Sequence, residues 1–183
     1  VSRNAKWRTK RLHKPLIALI ISFDMPMHID PIANHPHLID TIARWHWDEW
    51  GHHDPGGSAE SWAEGLRERT HRDRIPTTYV ALEGDVPLGS ATLVDNDMST
   101  RTDLWPWLAG VFVRPESRGQ GVGSALVVHA VRAAAGMGVG RLYLYTGGAR
   151  GFYEKLGWRH IGDEFYEGRV VAVMEIDTGD VRG

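Results

Sequence analysis

The stretch that most constrains how this 183-residue chain can fold runs from Val111 to Ser124. It reads Val111-Phe112-Val113-Arg114-Pro115-Glu116-Ser117-Arg118-Gly119-Gln120-Gly121-Val122-Gly123-Ser124. An apolar run ends at a proline turn, and three alternating glycines then open an apolar-faced helix. The first N–H groups of a helix have no intrahelical partner and carry a partial positive charge. Glycines let an anion approach that backbone, so the segment can seat a pyrophosphate. A Walker loop would need Gly-Lys-Ser/Thr, and none is present. The dinucleotide fingerprint fails too, because position 124 is serine and the strand order before it is wrong. Taken alone, the turn is equally a glycine-rich cap on a helix.

The remaining pattern predicts alternating strands and helices. Met27–Asn34 reads as a short strand, and His37–Trp50 has apolar residues near helical spacing. Ser58–Arg72 reads as a second helix with Ser58 as its N-cap. Thr77–Glu83 and Val86–Val94 are β-rich runs joined by a Gly84-Asp85 hairpin signal. Trp107–Val113 is a strand, Gly121–Ala135 a helix, and Arg141–Thr146 a strand in which Leu142 and Leu144 alternate with Tyr143 and Tyr145. A short helix over Ala149–Leu156 stops at Gly157, and strands over Trp158–Gly162 and Val170–Ile176 follow. The order β-α-α-β-β-β-α-β-α-β-β implies an α/β fold built on a mixed sheet with helices on its faces.

Composition narrows the class. Apolar residues make up 42% and charged residues 24%, which suits one ordinary globular domain. The absence of cysteine excludes a disulfide framework, a thiol nucleophile and cysteine-ligated zinc. It fits a reducing, cytoplasmic setting. The net charge of −2 hides an asymmetry: six basic residues and one acid lie in 1–24, leaving the rest with fifteen basic and twenty-two acidic residues. Nucleic-acid binding wants a basic body, so that role is not expected; an acidic body suits a cationic partner. Residues 1–14 are basic and 15–23 almost wholly apolar, like the first parts of a signal peptide, yet no small-x-small site follows. The apolar run is too short for a membrane helix. The expected organisation is an N-terminal extension over 1–24 and a single domain over 25–183. Eight tryptophans, five of them at 45, 47, 50, 105 and 107, point to core or to an aromatic-walled site.

Arg118-x-x-Gly121-x-Gly123 after a β-strand resembles the acetyl-coenzyme A signature of the GCN5-related N-acetyltransferase (GNAT) family. Gly151-Phe152-Tyr153-Glu154-Lys155-Leu156-Gly157-Trp158 resembles that family's second motif, one helix and one strand downstream. The resemblance spans roughly 27–177 and is strongest over 107–160. It implies a mostly antiparallel sheet with a splayed central parallel pair, Trp107–Val113 and Arg141–Thr146. It implies acetyl-coenzyme A as co-substrate, its pyrophosphate on the backbone of Arg118, Gly119, Gln120, Gly121, Val122, Gly123 and Ser124, and its pantetheine arm beside Val111, Phe112 and Val113. A backbone N–H of that strand is the expected oxyanion donor, and Tyr153 matches the tyrosine that faces the sulfur. A glutamate that many relatives carry on a central strand is missing from Leu142–Tyr145. Asp97, Asp103 and Glu49 are the candidate bases.

The acceptor side is read from Arg44–Trp50 and Asp95–Trp105. Trp47, Glu49, Asp97, Asp103 and Trp105 mix carboxylates with indoles, which suits a cationic, partly apolar amine. The leading expectation is a small cationic acceptor, with an aminoglycoside antibiotic as the specific case. A protein or peptide amino terminus is the alternative. A non-catalytic acetyl-coenzyme A sensor is a third reading, against which Tyr153 argues. His46, His52 and His53 give no second ligand pair, so no metal is expected. A homodimer is compatible with this reading.

Overall fold

The computed structural model describes residues 26–180. The extension expected over 1–24 lies outside the described residues. The elements are β1 (His28–Pro31), α1 (Ile39–Trp50), α2 (Ala59–Arg67), β2 (Thr77–Glu83), β3 (Val86–Val94), β4 (Trp107–Val113), α3 (Val122–Gly136), β5 (Arg141–Thr146), α4 (Arg150–Lys155), β6 (Arg159–Tyr166) and β7 (Arg169–Asp177). Seven strands form one sheet in the order β1-β2-β3-β4-β5-β7-β6. Every neighbouring pair is antiparallel except β4 and β5, which run parallel and pair only at Trp107↔Tyr143. The mixed α/β sheet and its central parallel pair are therefore as expected.

Both faces of the sheet are covered because its inner strands alternate between two apolar sets. On β2, Tyr79 and Ala81 pack with α3 residues such as Leu126 and Val131, while Val80 and Leu82 pack with Ile42, Ala43 and Leu66 of α1 and α2. On β5, Leu142 and Leu144 join the α3 side. Tyr143 and Tyr145 join a third cluster built on Trp107, Met98 and Val173. This is the alternation of Leu and Tyr seen in the sequence, expressed as two faces of one strand.

The ends of β1, α2 and β6 shift by three residues or more from the sequence reading, each for a local reason, and the other boundaries by no more than two. The first strand stops at Pro31 because the chain turns into 3-10 geometry over Ile32–Asn34. There the Asn34 amide donates back to both Asp30 carboxylate oxygens at 3.0 and 3.1 Å. Helix α2 starts as expected, with Ser58 and Ser61 capping each other's backbone N–H at 3.2 and 2.9 Å. It ends at Arg67 rather than Arg72, since the Thr70 hydroxyl donates to the Arg67 carbonyl at 2.9 Å and Thr70 then bridges to Thr77. Strand β6 runs on to Tyr166 because it pairs with β7 down to Tyr166↔Arg169. Its turn is only two residues, Glu167 and Gly168, both at positive φ (50° and 78°).

Candidate active site

The two parallel strands touch once and then part. Tyr143 N–H donates to the Pro106 carbonyl at 3.1 Å, and beyond Trp107↔Tyr143 no further pair joins β4 to β5. The strand edges facing the gap have donors and acceptors with no strand partner, which a bound chain can satisfy. A bulge sharpens the opening. Between Thr92↔Ala109 and Ser90↔Phe112, β4 carries one residue more than β3, and Gly110 takes φ +56°. Such a bulge re-aims the backbone locally, here turning Gly110 and Val111 onto the cavity. A β-carbon at 110 would make only ordinary contact, with His46 Cε1 at 3.4 Å and Thr92 Oγ1 at 3.5 Å, so it is the positive φ that calls for glycine here.

At the far end of β4, a 3-10 turn over Pro115–Ser117 leads into the glycine segment. Gly119 and Gly121 sit at φ +75° and +84°, and Gly121 is the left-handed N-cap of α3 with no side-chain cap. A β-carbon on either would meet nothing within 4 Å. Their glycine identity therefore reflects backbone conformation, and the space outside the turn is open. Gly123 faces Val113 Cγ2 and Phe152 at 3.5 and 3.6 Å from its would-be β-carbon, so the helix start packs against both β4 and α4. The Arg118 side chain donates to the Val113 carbonyl at 3.0 Å and approaches Glu49 at 3.8 Å, lying 5.9 Å over the Phe112 ring. Phe112 is also walled by Trp45 and Trp50 of α1, with ring centroids at 5.5 and 6.2 Å. Uncapped N–H groups, left-handed glycines and open space together fit an anionic pyrophosphate.

Next to the strand gap lies a cavity of about 720 Å³ walled by α1, α2, β4, the segment after β5, α4 and the β6–β7 turn. Val111, Tyr153, Glu49 and Asp97 all line it. Tyr153 is buried on α4, and that burial, with the Asp97 charge adding to it, pushes its phenol up to about 12. It thus stays protonated throughout the physiological range. Asp97 is carried by the β3–β4 loop, which Met98 anchors in the core and Arg101 ties to Glu164 of β6 at 2.7 Å. Loss of hydration in the cavity wall raises the Asp97 carboxyl to about 6; Arg69 opposes the rise and Glu167 adds to it. His46 is buried and bonded to the Ser90 hydroxyl at 2.8 Å, and burial lowers it to about 3, so it is a neutral wall residue.

The other expected acceptor residues stand elsewhere. Asp103 is exposed and bound by Arg101 at 2.9 and 3.1 Å. Trp105 is 56% exposed and donates to Asp95 at 3.1 Å. Trp47 packs on Trp62, 6.1 Å between centroids, and is not part of the cavity wall. Trp50, one turn from Trp47, takes the lining position. Arg69, Asp54, Glu167 and Arg169 line the cavity without having been singled out in the sequence. The best signal for Glu167 was its place before Gly168 between two β-rich runs. Nothing local marked Arg69, which the shortened α2 releases towards the cavity. Among the described residues, no group of three or more His, Asp or Glu stands together to hold a metal ion.

A profile described as the acetyltransferase (GNAT) family matches residues 39–158. The chain belongs to the GNAT acetyltransferase family. The match runs from α1 through the glycine turn and Tyr153 to the end of the second motif, so it takes in both halves of the site. Solved structures share this GNAT fold. An aminoglycoside 6'-N-acetyltransferase complexed with coenzyme A is 18% identical, covering 82% of this chain and 97% of its own, with a TM-score of 0.66. A spermidine N-acetyltransferase chimera from Vibrio cholerae and hSSAT is 17% identical, with 84% and 96% covered and a TM-score of 0.64. The yncA acetyltransferase of Salmonella typhimurium, with its cofactor acetyl-CoA, is 16% identical, with 83% and 94% covered and a TM-score of 0.62. At these identities the likeness is one of fold. Comparison with curated proteins gives no match.

Proposed function

We propose that this GNAT chain transfers an acetyl group from acetyl-coenzyme A to the primary amine of a small polar molecule. The observation that carries the reading is the meeting of a protonated phenol and a carboxylate of raised pKa on one cavity, at the point where β4 and β5 part. Acetyl-coenzyme A supplies the acetyl group as an activated thioester. The backbone N–H groups of Arg118 to Ser124 would hold its pyrophosphate, and the unpaired edge of Val111 to Val113 its pantetheine arm.

In the transfer, an N–C bond forms and the C–S bond breaks. The amine must lose one proton and the departing sulfur must gain one. The Asp97 carboxylate receives the amine proton, and the Tyr153 hydroxyl donates to the sulfur. A backbone N–H of the bulged β4 steadies the negative charge that develops on the carbonyl oxygen. Asp97 and Glu167 also favour an ammonium on arrival, and the nearby Arg69 lowers that ammonium's pKa towards release of its proton.

The test is release of coenzyme A thiol with a panel of amines, beginning with the aminoglycosides and spermidine and extending to amino acids and peptides. Turnover of at least one amine is expected. Coenzyme A binding without turnover of any would leave a sensor. The pH profile tests Asp97 separately. A base with a pKa of about 6 is protonated below that pH, so kcat/KM should fall about tenfold per unit below pH 6 and level off above it. Asp97→Asn should lower kcat/KM on the order of 100-fold and remove that limb. A limb retained near pH 6 in Asp97→Asn would take the base role from Asp97.

A further inference from the structure

The cavity that we read as the acceptor site is not uniformly acidic. Two guanidinium side chains line it, Arg69 from the segment after α2 and Arg169 at the start of β7. Among the described residues, neither reaches a carboxylate within 4.0 Å. This is unusual for their surroundings, since Asp97 and Glu167 line the same cavity and Arg69 acts on Asp97 through its charge. Glu167 instead leans towards His53, at 3.9 Å.

Arg169 uses room left by the absent side chain of Gly147. Its guanidinium lies where a side chain at 147 would be, with Nη1 at 3.2 Å and Cζ at 3.3 Å from the would-be β-carbon of Gly147. Gly147 follows β5 and itself lines the cavity. Two residues before Arg169, Glu167 occupies a left-handed position, φ 50°, which side-chain-bearing residues rarely adopt. The turn thus carries a carboxylate and an arginine next to each other onto one opening. The glycines of the phosphate turn, Gly119, Gly121 and Gly123, are not among the residues lining this cavity. A donor pyrophosphate seated on that turn would therefore leave Arg69 and Arg169 without an anion.

Resting on the acetyl-transfer reading, we propose that Arg69 and Arg169 form an oxyanion subsite, and that the acceptor is a small molecule carrying both an amine and an anionic oxygen group. The amine goes to Asp97 and Glu167, and the carboxylate or phosphate goes to the guanidinium pair. Guanidinium groups present paired N–H donors that match the two oxygens of a carboxylate or phosphate, which an ammonium ligand cannot use. A polycation such as an aminoglycoside or spermidine would set ammonium groups against both arginines. An amino acid or a phosphorylated amine sets a group of opposite charge against the carboxylates and another against the arginines.

The experiment compares matched acceptors: amino acids against their C-terminal amides and decarboxylated amines, and glucosamine 6-phosphate against glucosamine, with spermidine and an aminoglycoside as polycation arms. The expected result is a kcat/KM at least tenfold higher for the anionic member of one pair. The amino-acid and sugar-phosphate arms tell carboxylate from phosphate. In Arg169→Gln and Arg69→Gln that preference should shrink at least tenfold, and Arg169→Lys should restore less than half of it on a logarithmic scale. Calorimetric titration of the preferred acid into the coenzyme A complex should show the same loss of affinity in both glutamine variants. Equal or better turnover of the neutral or polycationic acceptors would overturn this inference and leave acetyl transfer standing. A preference unchanged in both variants would overturn it as well. Turnover of none of these amines would overturn acetyl transfer and this inference with it.

Discussion

Tyr153→Phe should lower kcat by about 100-fold or more while the affinity for coenzyme A stays within about twofold. The substitution removes one hydroxyl from a buried ring that otherwise keeps its neighbours, Phe152 at 4.9 Å and Trp158 at 6.0 Å between centroids. Packing is thus conserved and the proton donor is lost. A phenol raised to about 12 is never ionised at neutral pH, so the wild-type ring always has its proton to offer. Its driving force is small against a hydrated thiolate. A sulfur enclosed by the same cavity is also poorly hydrated, which raises its own pKa and narrows the difference. Steady-state rates with calorimetric coenzyme A titration check this. A drop in affinity equal to the drop in rate would make Tyr153 a packing residue, and an unchanged rate would remove it from the chemistry.

Gly121→Val should weaken coenzyme A binding on the order of 100-fold with little effect on kcat at saturation. Gly121 caps α3 at φ +84°, where a β-branched residue is strained by about 1–3 kcal/mol. Relief of that strain moves the turn and the N–H groups behind it. The isopropyl group would also project into space that is open in this structure and that a pyrophosphate needs. Since a β-carbon at 121 meets no protein atom outside its chain neighbours within 4 Å, the fold should tolerate it. A single cooperative unfolding transition lowered by no more than about 10 °C, together with the loss of binding, is the expected pattern. Coenzyme A affinity equal to wild type would separate the glycine turn from the donor.

These two expectations fall on opposite ends of one site, and both ends could be read from local sequence. The turn was legible because its chemistry is that of a helix start: alternating glycines and a missing side-chain cap have the same meaning wherever the helix lies. Strands β2, β3, β4 and β5 were legible to the residue for a similar reason, since alternation and turn residues act within a few positions. Tyr153 was recognised through its motif, and its burial against Trp158 follows from the Gly157 stop, φ +97°, that folds α4 back onto the sheet.

The cavity wall was not legible in this way. Trp47 and Trp50 are three positions apart on one helix, and only the packing of Trp47 on Trp62 decides which indole lines the cavity. Asp97 and Asp103 are neighbours in one acidic loop. What separates them is that Arg101 takes Asp103 and Glu164, while Asp97 turns inward next to buried Met98. Arg69 and Arg169 are a hundred residues apart and come to line one cavity only through the fold: α2 ends before Arg69, and β7 begins with Arg169 beside Gly147.

The sequence by itself determined the strand order along the chain and the glycine turn, because helix termini, strand alternation and left-handed glycines depend on interactions a few residues long; the family came from the resemblance of its two motifs. The tertiary structure alone decided which side chains line the cavity. The charge that a cavity presents is a sum over side chains from distant elements, and which of them remain unpaired is settled only when every competing partner has been placed.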